Sequence, residues 1–141
     1  MIIILQSLWN QSLTDLLVDG AKQVLSTHHH SFKVVQVPGA WELPIVAQWT
    51  WQQAEAESRP LLGIVACAVI IKGETHHFDM IAQATAYGLT NFSLEKNCAV
   101  TNAILAVYTP EQARERLGGK MGHKGEEAAK ALLHLLQLKR T

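Results

Sequence analysis

Side chains able to carry chemistry gather where the longest apolar run of the sequence ends. The stretch IIKGETHHFDM, residues 70–80, turns polar quickly and offers a threonine hydroxyl, two adjacent histidines and an aspartate. Histidine is the side chain best suited to proton transfer near neutral pH. Because His76 and His77 are neighbours, they point in different directions, so we expect at most one of them to face a site.

The turn in front of these histidines has the composition of an anion site. Gly73, Glu74 and Thr75 are predicted to open the helix that follows. Backbone N–H groups at a helix N-terminus point outward and attract negative charge. A second interpretation stays open, in which Gly73 is present only because the backbone needs a positive φ angle there.

Two tryptophans and a glutamate follow the first two apolar runs. Trp9 comes after the run that begins the chain, and Trp41 and Glu42 come after Pro38 and Gly39. Two tryptophans at adjacent strand ends favour a stacking surface about as strongly as they favour core packing. Glu42 would also stabilise a first helical turn through the helix dipole, whatever its function.

The third group is cationic and surrounds the glycine-rich segment GGKMGHKG, residues 118–125. Arg116, Lys120 and Lys124 are typical of helix-dipole or salt-bridge partners, and a guanidinium is equally suited to clamp a phosphate. The motifs CxxC, HExxH, GxGxxG and GxxxxGK[ST] are absent, so no metal or dinucleotide site is predicted. The tract of residues 28–30, three histidines, is expected to be a solvated loop.

Strand and helix patterns alternate along the chain. We predict strands in residues 2–5, 32–37, 61–71 and 99–107 and helices in residues 12–25, 41–57 and 76–96. A short helix is predicted to begin at Pro110, with Thr109 as its N-cap and Gln112 at the third helical position. A glycine-rich break in residues 118–125 then precedes a last helix, whose apolar face is Ala128, Leu132, Leu135 and Leu136. The first helix is expected to begin with a capping box formed by Ser12 and Asp15. The third strand is apolar on both faces, as central parallel strands are. This alternation indicates one α/β domain over residues 1–141, with a parallel sheet covered on both sides.

The composition limits the partners. Twelve basic and twelve acidic residues cancel and no basic block stands out, so nucleic acid is not an expected partner. No signal peptide and no membrane-length apolar run is visible, which predicts a cytoplasmic protein. Cys67 and Cys98 lie in apolar runs and are expected to behave as small hydrophobes. Charged residues make up only 17% of the chain, which agrees with surface buried against further copies.

Three segments resemble the lumazine synthase family: VPGAWELP (37–44), the stretch from Ala68 to Met80, and PEQARERLGGKMGHKGEEAA (110–129). The likeness runs in order over nearly the whole chain. It implies a flavodoxin-like three-layer α/β/α sandwich with a four-stranded parallel sheet. It also implies condensation of 5-amino-6-ribitylaminouracil with 3,4-dihydroxy-2-butanone 4-phosphate, releasing phosphate and water, without a cofactor.

The resemblance assigns residue roles as well. His77 matches the proton-transfer histidine, and Trp9 matches the aromatic residue that stacks on the pyrimidine ring. The remaining substrate contacts that it implies are Ala40, Trp41 and Glu42 at the ribityl chain, Ile70 and Ile71 at the pyrimidine edge, and Gly73, Glu74 and Thr75 at the phosphate. Asn102, Arg116 and Lys124 match positions through which a neighbouring subunit completes the site, so self-association into pentamers, and in some members a shell of sixty subunits, is implied.

The chain departs from the family pattern at several positions. Asn102 stands where many members carry a phenylalanine, His123 replaces a frequent asparagine, and Leu8 and Tyr108 also differ. The amino-terminal segment is short. Two alternatives to the synthase remain: a riboflavin synthase of the archaeal type, and a non-catalytic carrier or shell protein that binds a flavin or lumazine.

Overall fold

A parallel four-stranded sheet forms the centre of the computed structural model, which describes residues 1–141. Its strands are β1 (Ile2–Ser7), β2 (Phe32–Val37), β3 (Gly63–Ile71) and β4 (Ala99–Val107). They lie in the order β2-β1-β3-β4, and every pair is parallel. The predicted sheet is therefore confirmed, and the carboxyl ends of all four strands lie along one edge.

Five helices cover the two faces of the sheet. They are α1 (Gln11–Thr27), α2 (Leu43–Ala56), α3 (His77–Lys96), α4 (Pro110–Glu115) and α5 (Lys124–Arg140), and a single 3-10 turn, Ala40–Glu42, precedes α2. Helices α1 and α5 pack on one face, and α2 and α3 pack on the other. This is the predicted three-layer α/β/α sandwich. No helix combines the length and the apolar character that a membrane crossing would need.

Strand β3 supplies both hydrophobic layers, as its two-sided apolar sequence predicts. Val65, Cys67 and Val69 point toward α1 and α5, while Ile64 and Ile70 point toward α2 and α3. All five are buried, because successive side chains of a strand face opposite sides of the sheet. The sheet edge that carries the polar strand ends is thus held between two packed layers.

The start of α1 differs from the prediction. Asn10, not Ser12, occupies the N-cap position, and neither residue caps the helix with its side chain. Asn10 has a left-handed backbone with φ 60°, which asparagine tolerates better than most residues. Its Nδ2 instead donates a hydrogen bond of 2.8 Å to the carbonyl oxygen of Val69. This contact joins the first turn of α1 to the end of β3.

The start of α4 agrees with the predicted capping pattern. The Thr109 hydroxyl accepts a hydrogen bond of 3.2 Å from the backbone N–H of Gln112. The Gln112 Oε1 in turn accepts a hydrogen bond of 2.8 Å from the backbone N–H of Tyr108. One N–H group that the helix leaves unpaired is satisfied, together with the N–H of Tyr108 before the N-cap, and the short helix is fixed directly after β4.

The glycine-rich segment forms a small antiparallel hairpin between α4 and α5. Its strands are β5 (Leu117–Gly119) and β6 (Gly122–His123). Gly118 and Gly122 have φ angles of 98° and 85°, which side-chain-bearing residues adopt at a cost. The glycines of this segment predict only a break between two helices, so the hairpin is a finding of the structure.

Candidate active site

A cavity of about 620 Å³ opens at the carboxyl ends of β1, β2 and β3. In α/β sheets this edge is where ligands bind, and the volume suits a small organic molecule. The residues predicted for a site that line it are Trp9, Ala40, Trp41, Glu42, Ile70, Ile71, Gly73, Thr75 and His77. These residues come from three separate parts of the sequence, so only the fold brings them together.

The two tryptophans form an open aromatic wall of this cavity. Trp9 is 74% exposed and Trp41 is 53% exposed, so the core-packing interpretation is wrong for both. An indole that lies on a cavity wall with its ring accessible can stack on a flat heteroaromatic ligand. The stacking interpretation is therefore the one that the exposure of both rings favours.

The loop after β2 holds Trp41 and Glu42 rigidly. Ala40 is buried, and its carbonyl oxygen accepts a hydrogen bond of 3.1 Å from the Thr85 hydroxyl of α3. A Cβ on Gly39 would lie 3.2 Å from Oε2 of Glu42, so the carboxylate lies close over this glycine. The hydrogen bond from Thr85 therefore ties the loop that carries Trp41 and Glu42 to α3.

The turn that follows β3 has free donors. The backbone N–H groups of Gly73, Glu74 and Thr75 make no hydrogen bond to the backbone of the chain, and the N–H of Lys72 before them is bonded to the Val107 carbonyl at 2.9 Å. Gly73 does not have a positive φ angle, so the purely conformational interpretation is wrong. A Cβ at Gly73 would meet nothing within 4 Å, so the turn borders open space. The turn thus leaves N–H donors free before a 20-residue helix, at the position where the sequence predicts an anion site.

The two histidines separate as expected. His77 is the first residue of α3 and lines the cavity, and its backbone N–H donates to the Thr75 hydroxyl at 3.3 Å. The ring of His76 is fully exposed, with its Nδ1 4.0 Å from Oδ2 of Asp79. His77 therefore lines the cavity, whereas His76 does not.

Four predicted residues lie outside the cavity. Glu74 belongs to the turn but is exposed away from it, and Asn102 lies in a second groove of about 370 Å³ between α3 and β4. Arg116 follows α4, where its Nη1 donates to the Gln112 carbonyl at 2.9 Å. Lys124 begins α5, and its backbone N–H donates to the Arg116 carbonyl at 2.8 Å. The chain thus brings Arg116 and Lys124 together, but not to the cavity.

Sequence reasoning missed six residues of the cavity wall: Ser7, Gly39, Val69, Phe78, Met80 and Ile81. Met80 and Ile81 lie three and four positions after His77, on the same face of α3, and this spacing is a signal that could have found them. Phe78 packs against Tyr108 with ring centroids 6.2 Å apart. Ser7 is buried and ends β1, and no local pattern distinguishes it from a core residue.

No thiol or metal cluster contributes to this site. Burial raises the pKa of the Cys67 thiol to about 12 and that of Cys98 to about 11, and the latter rise is opposed by the charge of Lys139. Such thiols remain protonated near neutral pH and are poor nucleophiles. No group of three or more histidine, cysteine or acidic side chains is arranged to hold a metal ion. In the loop of residues 28–30, the His28 Nδ1 lies 2.9 Å from the Val24 carbonyl oxygen.

The comparisons with known proteins agree on one family. The family model described as 6,7-dimethyl-8-ribityllumazine synthase matches residues 1–140. A protein of that name from Xanthomonas euvesicatoria pv. vesicatoria (strain 85-10) is 39% identical over 138 residues, which is 96% of this chain and 86% of the relative. One from Stenotrophomonas maltophilia (strain R551-3) is 40% identical over 138 residues, again 96% of this chain and 86% of the relative. With a full-length match and relatives of this similarity, the chain belongs to the 6,7-dimethyl-8-ribityllumazine synthase family.

Proposed function

We propose that the chain condenses 5-amino-6-(D-ribitylamino)uracil with 3,4-dihydroxy-2-butanone 4-phosphate to give 6,7-dimethyl-8-ribityllumazine, the penultimate step of riboflavin biosynthesis. The observation that carries the proposal is a single cavity that holds an aromatic wall, a turn of free N–H groups and one histidine. A flat ring, a phosphate and a proton-transfer group each have a counterpart there. Residues 1–141 would act as one domain without a cofactor.

The residue roles follow the layout of the cavity. Trp9 stacks on the pyrimidine ring, and Ile70 and Ile71 at the end of β3 border its edge. The loop of residues 40–42 holds the ribityl chain, because its backbone groups and the Glu42 carboxylate offer hydrogen bonds to hydroxyls. The turn of residues 73–75 receives the phosphate through its N–H groups.

The reaction asks little of the protein beyond position. The amine of the uracil attacks the ketone and a first water leaves, and phosphate is then eliminated. The ribitylamino nitrogen attacks the remaining carbonyl, and loss of a second water completes the ring. Holding two substrates in one cavity replaces an encounter in solution, which is the largest expected contribution. His77 assists the proton transfers, since a neutral imidazole accepts a proton and its cation returns it.

The test is to mix the purified protein with the two substrates and to follow lumazine fluorescence and phosphate release together. Equal amounts of both products are expected. An archaeal-type riboflavin synthase would instead convert lumazine alone to riboflavin. A carrier would bind lumazine or flavin and release no phosphate, so either of these results would replace the proposal.

We propose further that the protein is active as a homopentamer, with a sixty-subunit shell as a larger form. Arg116 and Lys124 would meet the cavity of a neighbouring subunit, and Asn102 would border it. Support comes from their position outside the cavity of their own chain and from large apolar side chains left exposed on α2 and α3, among them Trp49, Tyr87 and Leu94. A cytoplasmic location remains a prediction of the sequence.

A mixing experiment tests the shared site. His77→Ala and Arg116→Ala subunits are each weakly active, and mixed rings contain some sites with His77 from one subunit and Arg116 from the next. By random neighbour choice in a 1:1 mixture, about a quarter of the sites are intact. Recovered activity near that fraction is expected. An active monomer in light scattering, or mixed rings without recovery, would contradict a site built from two subunits.

A further inference from the structure

His123 holds the start of α5 through its ring. It is the last residue of β6 and the N-cap of α5, and its Nδ1 lies 3.2 Å from the backbone N–H of Glu126. In this contact Nδ1 is the acceptor and the backbone N–H of Glu126 is the donor. The side chain thus satisfies one of the N–H groups that a helix leaves unpaired at its N-terminus.

The same ring is confined by α1. A Cβ on Gly20 would lie 2.6 Å from Nδ1 and 2.9 Å from Nε2 of His123, closer than any real Cβ contact. Gly20 is buried in the middle of α1, where alanine would otherwise be the better helix former. The glycine therefore makes room for the imidazole, and the ring lies between α1 and the first turn of α5.

The hairpin transmits this position to two cations. His123 pairs with Leu117 across β5 and β6, and the next residues in each direction are joined by the hydrogen bond of 2.8 Å from the Lys124 N–H to the Arg116 carbonyl. Arg116 and Lys124 therefore flank the pair that contains His123. The His123 ring is thus connected through the hairpin backbone to the two residues that carry these cations.

We propose that His123 is a positioning residue that sets the placement of Arg116 and Lys124 for phosphate recognition. The inference rests on the proposed function, since the phosphate roles of the two cations do. It accounts for the departure at position 123: both asparagine and histidine offer an acceptor at an N-cap, but only the imidazole also fills the space above Gly20.

A matched pair of variants separates capping from bulk. His123→Ala removes the acceptor, and His123→Ser keeps a good N-cap acceptor on a side chain that is one atom larger than alanine. We expect His123→Ala to raise the KM for the butanone phosphate about fivefold, the equivalent of a lost cap, with the KM for the aminouracil and kcat unchanged. His123→Ser should return the KM to within about twofold of the unsubstituted protein.

Gly20→Ala tests the ring from the opposite side. In the otherwise unsubstituted chain the new methyl group displaces the imidazole, so the variant should show the same selective rise in KM as His123→Ala. In the His123→Ser background no ring is present to collide with, and Gly20→Ala should leave the KM unchanged. Additive effects of the two substitutions would overturn the proposal, as would a failure of His123→Ser to restore the KM.

Titration with inorganic phosphate makes the two proposals distinguishable. The assembled protein should bind phosphate, and His123→Ala should weaken that binding by the same factor as the KM. Equal losses in kcat, in both KM values and in melting temperature would assign His123 a merely structural role and overturn the inference. If the protein formed no lumazine, the proposed reaction would fail, while phosphate binding that depends on His123 and Gly20 would still uphold the positioning role.

Discussion

The cavity and the β5–β6 hairpin present a substrate with different chemistry, one mainly apolar and the other cationic. The cavity is lined by aromatic and aliphatic side chains, its only ionisable walls are Glu42 and His77, and it contains no lysine or arginine. The hairpin region carries Arg116, Lys120 and Lys124, none of which lines this cavity. A phosphate monoester bears about −1.5 to −2 charges near neutral pH, and free N–H groups neutralise only part of that.

The cavity therefore carries the aromatic side chains and His77, while a different surface of the same chain carries the cations. Arg116 also keeps its guanidinium partly engaged, 2.9 Å from the Gln112 carbonyl and 3.8 Å from Oε2 of Glu115. These contacts orient the Arg116 side chain and leave it partly exposed. A guanidinium in this state is available to a second surface. Substrate binding and charge compensation should therefore respond to different substitutions.

The largest effect is expected at the hairpin. Arg116→Ala removes charge-assisted hydrogen bonds to the phosphate, worth ~3 kcal/mol, so the KM for the butanone phosphate should rise about 100-fold. The KM for the aminouracil should change little, because the ring binds in the cavity. Arg114→Ala is the matched control, since Arg114 lies two residues earlier, is exposed, and pairs with Glu111 at 3.6 Å. Equal losses for both substrates would remove the distinction between the two regions.

A smaller effect is expected at the cavity histidine. His77→Ala should lower kcat about 30-fold rather than abolish turnover, because holding the two substrates together supplies the larger share of the rate. His76→Ala should leave kcat unchanged, since its ring faces solvent. Steady-state kinetics at saturating concentrations of both substrates measure this. A His76→Ala variant slower than His77→Ala would show that the proton-transfer role is assigned to the wrong histidine.

The aromatic wall should show the reverse selectivity to Arg116. Trp9→Ala removes a stacking partner, which corresponds to ~1.4 kcal/mol, and should raise the KM for the aminouracil about tenfold. The KM for the butanone phosphate should stay within about twofold, because the turn and the cations are untouched. Separate titration of each substrate against both variants decides whether the two regions act independently.

The smallest effect concerns the two buried cysteines, which lie in the hydrophobic layers on either side of the sheet. Since the pKa of Cys67 is raised to about 12 and that of Cys98 to about 11, the folded protein disfavours both thiolates. Neither thiol should react with an aromatic disulfide at pH 8, and both should react after unfolding in guanidinium. An unfolded chain ionises these groups near pH 9, so the free energy of unfolding should fall as the pH rises above 9. Rapid labelling of the folded protein would show that the layers open.

Local patterns predicted the strands and helices where one physical requirement dominates. β2 and β4 occur at the predicted residues, because runs of apolar and β-branched residues bounded by turns fit a sheet. The capping pattern at Thr109 was also sufficient, since its partners lie within four residues. The N-cap of α1 was predicted wrongly because Asn10 is held by Val69, a residue far away in the sequence.

The candidate site divides in the same way. Trp9, Trp41 and His77 could be predicted, because polar and aromatic residues that follow apolar runs are visible in the sequence. Ser7, Val69 and Phe78 escaped notice, since they are indistinguishable from core residues until the neighbouring strands are placed. The β5–β6 hairpin escaped because two strands of three and two residues are too short to carry a hydrophobic period.

The sequence by itself determined the alternation of strands and helices, the two-sided burial of β3 and the family, because these depend on periodicity and on residue identity along the chain. Only the tertiary structure decided the order β2-β1-β3-β4, which brings three separated segments, including the one with His77, to one cavity. It also placed Arg116 and Lys124 outside that cavity and the His123 ring above Gly20. The physical reason is that local propensity sets the conformation of a segment, whereas contacts between distant segments depend on how all of the packed layers fit together.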